Sequence, residues 1–178
     1  MPDFPSFWKW LVRPDRDGDR GIFNIANRWV AFHALVALAL SSILKIDVAD
    51  LATKVAIPGA SILVGLSFAW AGRSASLFQD KGFSEFIIRD GAPVEGYLYS
   101  FQLAILTVLA FLLITFFVFS GGFGTTTGNS DFDETINKAS IIFFGSLALR
   151  ECWGAIGFVN KLTIQYYVIR EVELKNAD

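Results

Sequence analysis

The chain has 178 residues, of which 53% are hydrophobic and 18% charged, with 18 phenylalanines and a formal net charge of −2. A soluble domain carries about 25% charged residues, and a water-soluble core of this size could not bury so much apolar surface, whereas a bilayer accepts it as lateral contact. One cysteine, Cys152, excludes an intrachain disulfide, one histidine, His33, excludes a His-rich metal site, and the near-neutral charge offers no electrostatic case for direct nucleic-acid binding.

Residues 1–28 form a cytoplasmic or interfacial N-terminal segment. Phe4, Phe7, Trp8 and Leu11 recur at helical spacing. This predicts either an amphipathic helix on the membrane surface or aromatics packed onto the bundle. The segment lacks a secretory cleavage pattern, so the first apolar stretch is expected to stay as a signal-anchor. Asp15, Asp17 and Asp19 surround Gly18, but the sixth and twelfth positions of a calcium loop starting at Asp15 hold Arg20 and Ala26. The EF-hand needs Gly and Glu there.

A spanning helix needs about 20 predominantly apolar residues. The first predicted span, 29–44, is free of charge and contains His33. The second, 51–70, has Asp50 as an expected N-cap, Lys54 near its start and Pro58-Gly59 inside. Proline removes a backbone donor and crowds the preceding turn, which predicts a kink, or a helix that begins at Pro58 and runs past Arg73. A cytoplasmic loop follows at 73–97, with Phe83, Phe86 and Ile87 at helical spacing. The third span, 98–120, is charge-free and ends at Gly121-Gly122. Residues 121–138 read as an external loop, 139–158 as the fourth span and 159–178 as a cytoplasmic tail. The fold class is therefore all-α, a single domain forming a bundle of four transmembrane helices.

Orientation follows the Lys and Arg distribution. Lys9, Arg13, Arg16, Arg20 and Arg28 share one side with Arg73, Lys81, Arg89, Lys161, Arg170 and Lys175. Only Lys45, Lys54 and Lys138 lie opposite. Both termini are expected in the cytoplasm, with the protein in the inner membrane. Trp29, Trp70, Tyr97, Tyr99, Tyr166 and Tyr167 are expected at the cytoplasmic boundary.

Arg150 and Glu151 interrupt the fourth span, where a charge costs roughly 2.5–3.5 kcal/mol. At about 100° per residue, Arg150 shares a stripe with Ser146, Gly154, Gly157 and Lys161. That stripe is expected to face other helices or water, leaving Ile141, Ala148, Cys152 and Val159 for lipid or close apolar packing. Adjacent in sequence, Arg150 and Glu151 are expected to find partners elsewhere. Ser61, Gly65 and Ala69 make a small-residue ridge suited to helix packing, and Ala34, Ala37 and Ser41 a weaker one.

Arg28 and His33 are spaced R-x4-H, which resembles the RNA-cleaving motif of HEPN-type nucleases, where Arg and His of two copies meet. The resemblance covers six residues. It implies RNA cleavage at a place where an apolar span keeps RNA out, so helix packing or pH sensing by His33 is the expectation taken here. No nucleophile elbow, phosphate loop or metal-ligand pair is present, and no enzyme activity, metal or cofactor is expected. The expected function is a homo-oligomeric pore lined by the Arg150 stripe. The alternative is a membrane adaptor, sensor or effector, for example in bacterial defence or stress, that docks a cytoplasmic protein through 73–96 and 162–178.

Overall fold

The computed structural model describes residues 6–12, 28–83, 85, 94–122 and 130–177. Among them every regular element is helical. We number the helices α1 (Phe7–Val12), α2 (Arg28–Ile43), α3 (Val48–Phe78), α4 (Val94–Phe119) and α5 (Ser130–Ala177). Phe4, the Asp15–Asp19 turn, Phe86, Ile87 and Arg89 lie outside the described residues, as do residues 123–129 of the expected external loop.

Three helices, α3, α4 and α5, are long and apolar enough to cross a membrane, which makes this a membrane-embedded helical protein. The shortest of the apolar helices is α2. Its 16 residues reach about 24 Å at 1.5 Å per residue, short of a hydrocarbon core of about 30 Å. The predicted fourth span, interrupted by charge, instead belongs to the longest helix. Its 48 residues extend about 72 Å, absorbing half of the expected external loop and nearly all of the expected tail.

Helix α3 meets its proline with a change of winding rather than a break. Asp47, not Asp50, caps its start, its side chain accepting from the Ala49 N–H at 2.6 Å. Asp50 pairs with Lys54 at 2.8 Å. Leu51–Ala56 winds as π-helix, and the Ile57 N–H donates to the Ala52 carbonyl five residues back. A wider turn just before Pro58 relieves the contact between its ring and the preceding carbonyls. The α-helix then runs from Ile57 past Arg73 to Phe78.

Helix α4 stops where glycine allows a left-handed backbone. The Gly122 N–H bonds the Phe117 carbonyl and the Gly121 N–H the Val118 carbonyl, a Schellman closure, with φ of 116° at Gly121 and 48° at Gly122. A Cβ on Gly122 would also strike the Asn137 side chain, so this turn brings the ends of α4 and α5 together.

Helix α5 is the hub, packed on α2, α3 and α4. It runs antiparallel to α4, with Gly145 under the Phe111 ring and Phe158 beside Phe101 at 5.9 Å between centroids. It runs parallel to α3, linked by Ser67–Cys152 at 3.4 Å and Asp80–Tyr166 at 3.3 Å. Its buried positions Ile141, Ala148, Cys152, Ala155, Val159 and Leu162 follow steps of three, four and seven. That is the seam of helices crossing at a shallow angle. Helix α2 sits on a different side of α5, without comparable contact to α3 or α4. The arrangement is a three-helix core with a short fourth helix laid on its hub.

The described aromatic residues divide: Trp8 is exposed, while others of the two segments pack against helices. Trp10 and Leu11 of α1 are buried beside Tyr99 and Leu103 of α4. Phe83, 1% exposed, is buried against Leu162 and Tyr166 of α5.

Candidate functional site

The depth of Arg150 and Glu151 follows from helix register. Because α4 and α5 are antiparallel through Phe111–Gly145 and Phe101–Phe158, these charges stand level with Thr107 and Val108. That is the middle of the charge-free stretch of α4. Cys152 packs in the same apolar cluster as Val108.

The two side chains pair with each other, contrary to the expectation from their angular separation. The Arg150 Nε donates to Glu151 Oε1 at 2.9 Å and a terminal nitrogen donates to the same oxygen at 2.6 Å. The guanidinium rides on a stem long enough to fold sideways across the helix surface, which a helical-wheel angle ignores. Two charge-assisted bonds to one carboxylate oxygen make a strong local pair. Both side chains are partly buried, at 23% and 16% exposure.

His33 joins this cluster from α2. Its Nδ1 lies 3.0 Å from Ser146 Oγ. The Ser146 hydroxyl donates its one proton to the Phe143 carbonyl at 2.8 Å, so Nδ1–H is the donor toward Ser146. Ser146 precedes Arg150 by one helical turn, and His33 is within electrostatic reach of both Arg150 and Glu151. The polar side chains His33, Ser146, Arg150 and Glu151 therefore gather where α2 meets α5, level with the middle of α4. Arg28 is the first residue of α2 and is exposed.

The rest of the predicted stripe is uncovered within one chain. Gly154, Gly157 and Lys161 are exposed, with open space around both glycines. The face turned toward α3 and α4 is the opposite one, carrying Ile141, Ala148, Cys152 and Val159. The intrachain core thus selects the small apolar side of α5, and the polar side meets only α2, from Ser146 to the level of Arg150. Small-residue ridges divide in the same way. Ala37 and Ser41 are buried, while Ser61, Gly65 and Ala69 are all exposed, so the described residues leave that stronger ridge uncovered.

Several interior polar residues carry no signal in a hydropathy profile. Asp133, Asn137 and Lys138 are buried at the start of α5, where Lys138 pairs with Glu134 at 2.5 Å. The i, i+4 spacing of Glu134 and Lys138 is the one clue the sequence offers. Ser67 donates to the Leu63 carbonyl at 2.7 Å and shares a hydrogen bond with the Cys152 thiol at 3.4 Å. No cluster of metal-ligating side chains occurs among the described residues. Comparison with protein-family models, curated proteins and solved structures finds no match. The class defined by fold and site is a membrane-embedded helical protein with a polar cluster at mid-depth.

Proposed function

We propose that the chain crosses the inner membrane four times with both termini in the cytoplasm, and that several copies associate through the polar side of α5 to form a pore. The Arg150–Glu151 pair carries this reading. It lies at mid-depth on a face that continues uncovered through Gly154, Gly157 and Lys161. A solitary chain would present that face to lipid, where each charge costs roughly 2.5–3.5 kcal/mol. Copies meeting there would hold the charges in water or protein, and the two glycines would let helix backbones approach closely. The loop charges support the orientation. By the His33–Ser146 contact the first turn of α2 stands level with Arg150, so α2 counts as the fourth crossing only together with the chain that precedes Arg28.

Each Arg150 brings its own counter-charge, so the constriction is a ring of dipolar pairs. This weakens the anion preference an arginine ring alone would give. His33 is the group through which pH acts on that ring, because protonation adds a cation beside Arg150. The protein has no catalytic role in this scheme. Reconstituted wild-type protein should release trapped ions from liposomes, and Arg150→Leu/Glu151→Leu should abolish release while still assembling. Impermeable liposomes containing correctly assembled wild-type oligomer would overturn the proposal.

A second reading, a membrane adaptor for a cytoplasmic protein, is favoured by one observation. Beyond Leu162, α5 continues as helix with Ile164, Tyr167, Val168, Val172 and Leu174 exposed. Truncation at residue 170 that leaves ion release unchanged but removes the cellular effect would favour it.

A further inference from the structure

Between α3, α4 and α5 lies an apolar crevice of about 360 Å³, separate from the polar cluster. Its lining runs from Leu51 to Leu63 on α3 and from Ile141 to Leu149 on α5, closed at the back by Phe111 of α4. Every lining residue is apolar or glycine. Two glycines create the space. Gly145 lets the Phe111 ring lie against α5, where even a Cβ would come within 3.2 Å of the ring. Gly59 leaves the α3 wall bare, with nothing within 4 Å of where its Cβ would be. The rim residues Val55, Ile62 and Leu149 are exposed at 54%, 63% and 58%, so the mouth opens sideways, toward lipid rather than along the bundle axis.

We infer that this crevice is a binding site for one acyl chain of a bilayer lipid. Dimensions select that occupant. From Leu51 to Leu63 the α3 wall rises about 18 Å at 1.5 Å per residue. That is close to half of a hydrocarbon core about 30 Å thick, the depth of a single leaflet. The inner end stops at Leu149, level with the middle of α4, where the two leaflets meet. The outer end opens beside the exposed Lys54–Asp50 pair, where a headgroup would sit in water. The volume falls at the small end of ligand pockets, and with no polar side chain in its lining to hold a charged or hydrogen-bonding ligand, the site suits an aliphatic chain. The occupant would lie against Leu51 and Ala56 of the π-helical turn, a winding that recurs at functional sites. The site stands whether or not the chain forms a pore.

The test uses full-length protein in liposomes doped with a phosphatidylcholine carrying a diazirine midway along one chain. After photolysis the labelled residues are mapped by mass spectrometry. Labelling should concentrate on 59–63 and 141–149, above the level at lipid-facing Phe68 and Phe116. Gly59→Leu, which fills the crevice without a clash, should lose that excess. Ile62→Trp, which covers the mouth from an exposed position, should lose it too. Gly65→Leu, on the same helix with equally open surroundings, should keep it. Uniform labelling of all exposed apolar residues would overturn the inference, as would full labelling in Gly59→Leu. Labelling seen only in dilute monomer and lost on assembly would also overturn it, because a second copy would then occupy the crevice.

Discussion

The two sides of α5 are built on opposite principles. One side presents Ala148 at 0%, Val159 at 0% and Leu162 at 1% exposure to α3 and α4. The other presents Ser146, Arg150, Glu151, Gly154, Gly157 and Lys161, and α2 covers it only down to the level of Arg150. A polarity argument assigns the second side to the interior, since lipid rejects charge. The structure assigns the first. Inside a lipid bilayer no hydrophobic force drives helices together, so close packing of small apolar residues decides the core. The charged side then offsets part of its cost locally, through the Arg150–Glu151 pair.

The largest expected effect probes that local handling. Glu151→Gln removes the carboxylate that holds the Arg150 guanidinium and should lower stability by about 3 kcal/mol, as for breaking a buried pair. Thermal unfolding in detergent measures it. Arg150→Leu/Glu151→Leu should recover wild-type stability or exceed it, which would confirm that the pair serves something other than folding. If the double variant unfolds as readily as Glu151→Gln, the polar side belongs to the core after all.

On the packed side, Ala148→Phe forces a ring into a fully buried seam and should destabilise by about 1–3 kcal/mol. The same readout applies. His33→Ala removes one hydrogen bond to Ser146 and should cost about 0.6–1 kcal/mol. A double-mutant cycle with Ser146→Ala isolates that coupling. The smallest effect belongs to Gly157→Leu. Its side chain meets open space within the chain, so monomer stability should move by less than about 0.5 kcal/mol. Its oligomer, measured by light scattering, should nonetheless dissociate. An intact oligomer would place the subunit contact elsewhere, with the exposed Ser61–Gly65–Ala69 ridge as the next candidate.

The apolar body and the end of helix α4 were legible, because the stretch Leu98–Ser120 is free of charge and Gly121-Gly122 supplies the left-handed closure, whereas its start at Val94 falls inside the expected loop. The extent of α5 was not. Hydropathy reports which solvent a residue prefers rather than whether its backbone is helical, and both ends of α5 are helical but polar. The seam from Ile141 to Leu162 was present as a repeat of threes and fours, masked by the louder signal of Arg150. The Arg150–Glu151 bond was missed because a wheel tracks Cβ directions and not the reach of an arginine side chain. The His33–Ser146 contact joins residues 113 apart, and nothing local encodes it. The crevice was invisible for the same reason. Nothing in the sequence relates Gly59 to Gly145 until α3 and α5 are set side by side.

The unbroken course of α5 has a mechanical consequence. With no proline and no change of winding between the ion pair and the last turn, it behaves as a drive shaft. A slip of one residue at mid-depth would turn the far end by about 100° and shift it by about 1.5 Å. Tyr167 and Val172 would then face a new direction, so a rearrangement of the Arg150–Glu151 pair would be felt some 30 Å away without any chain unfolding between them.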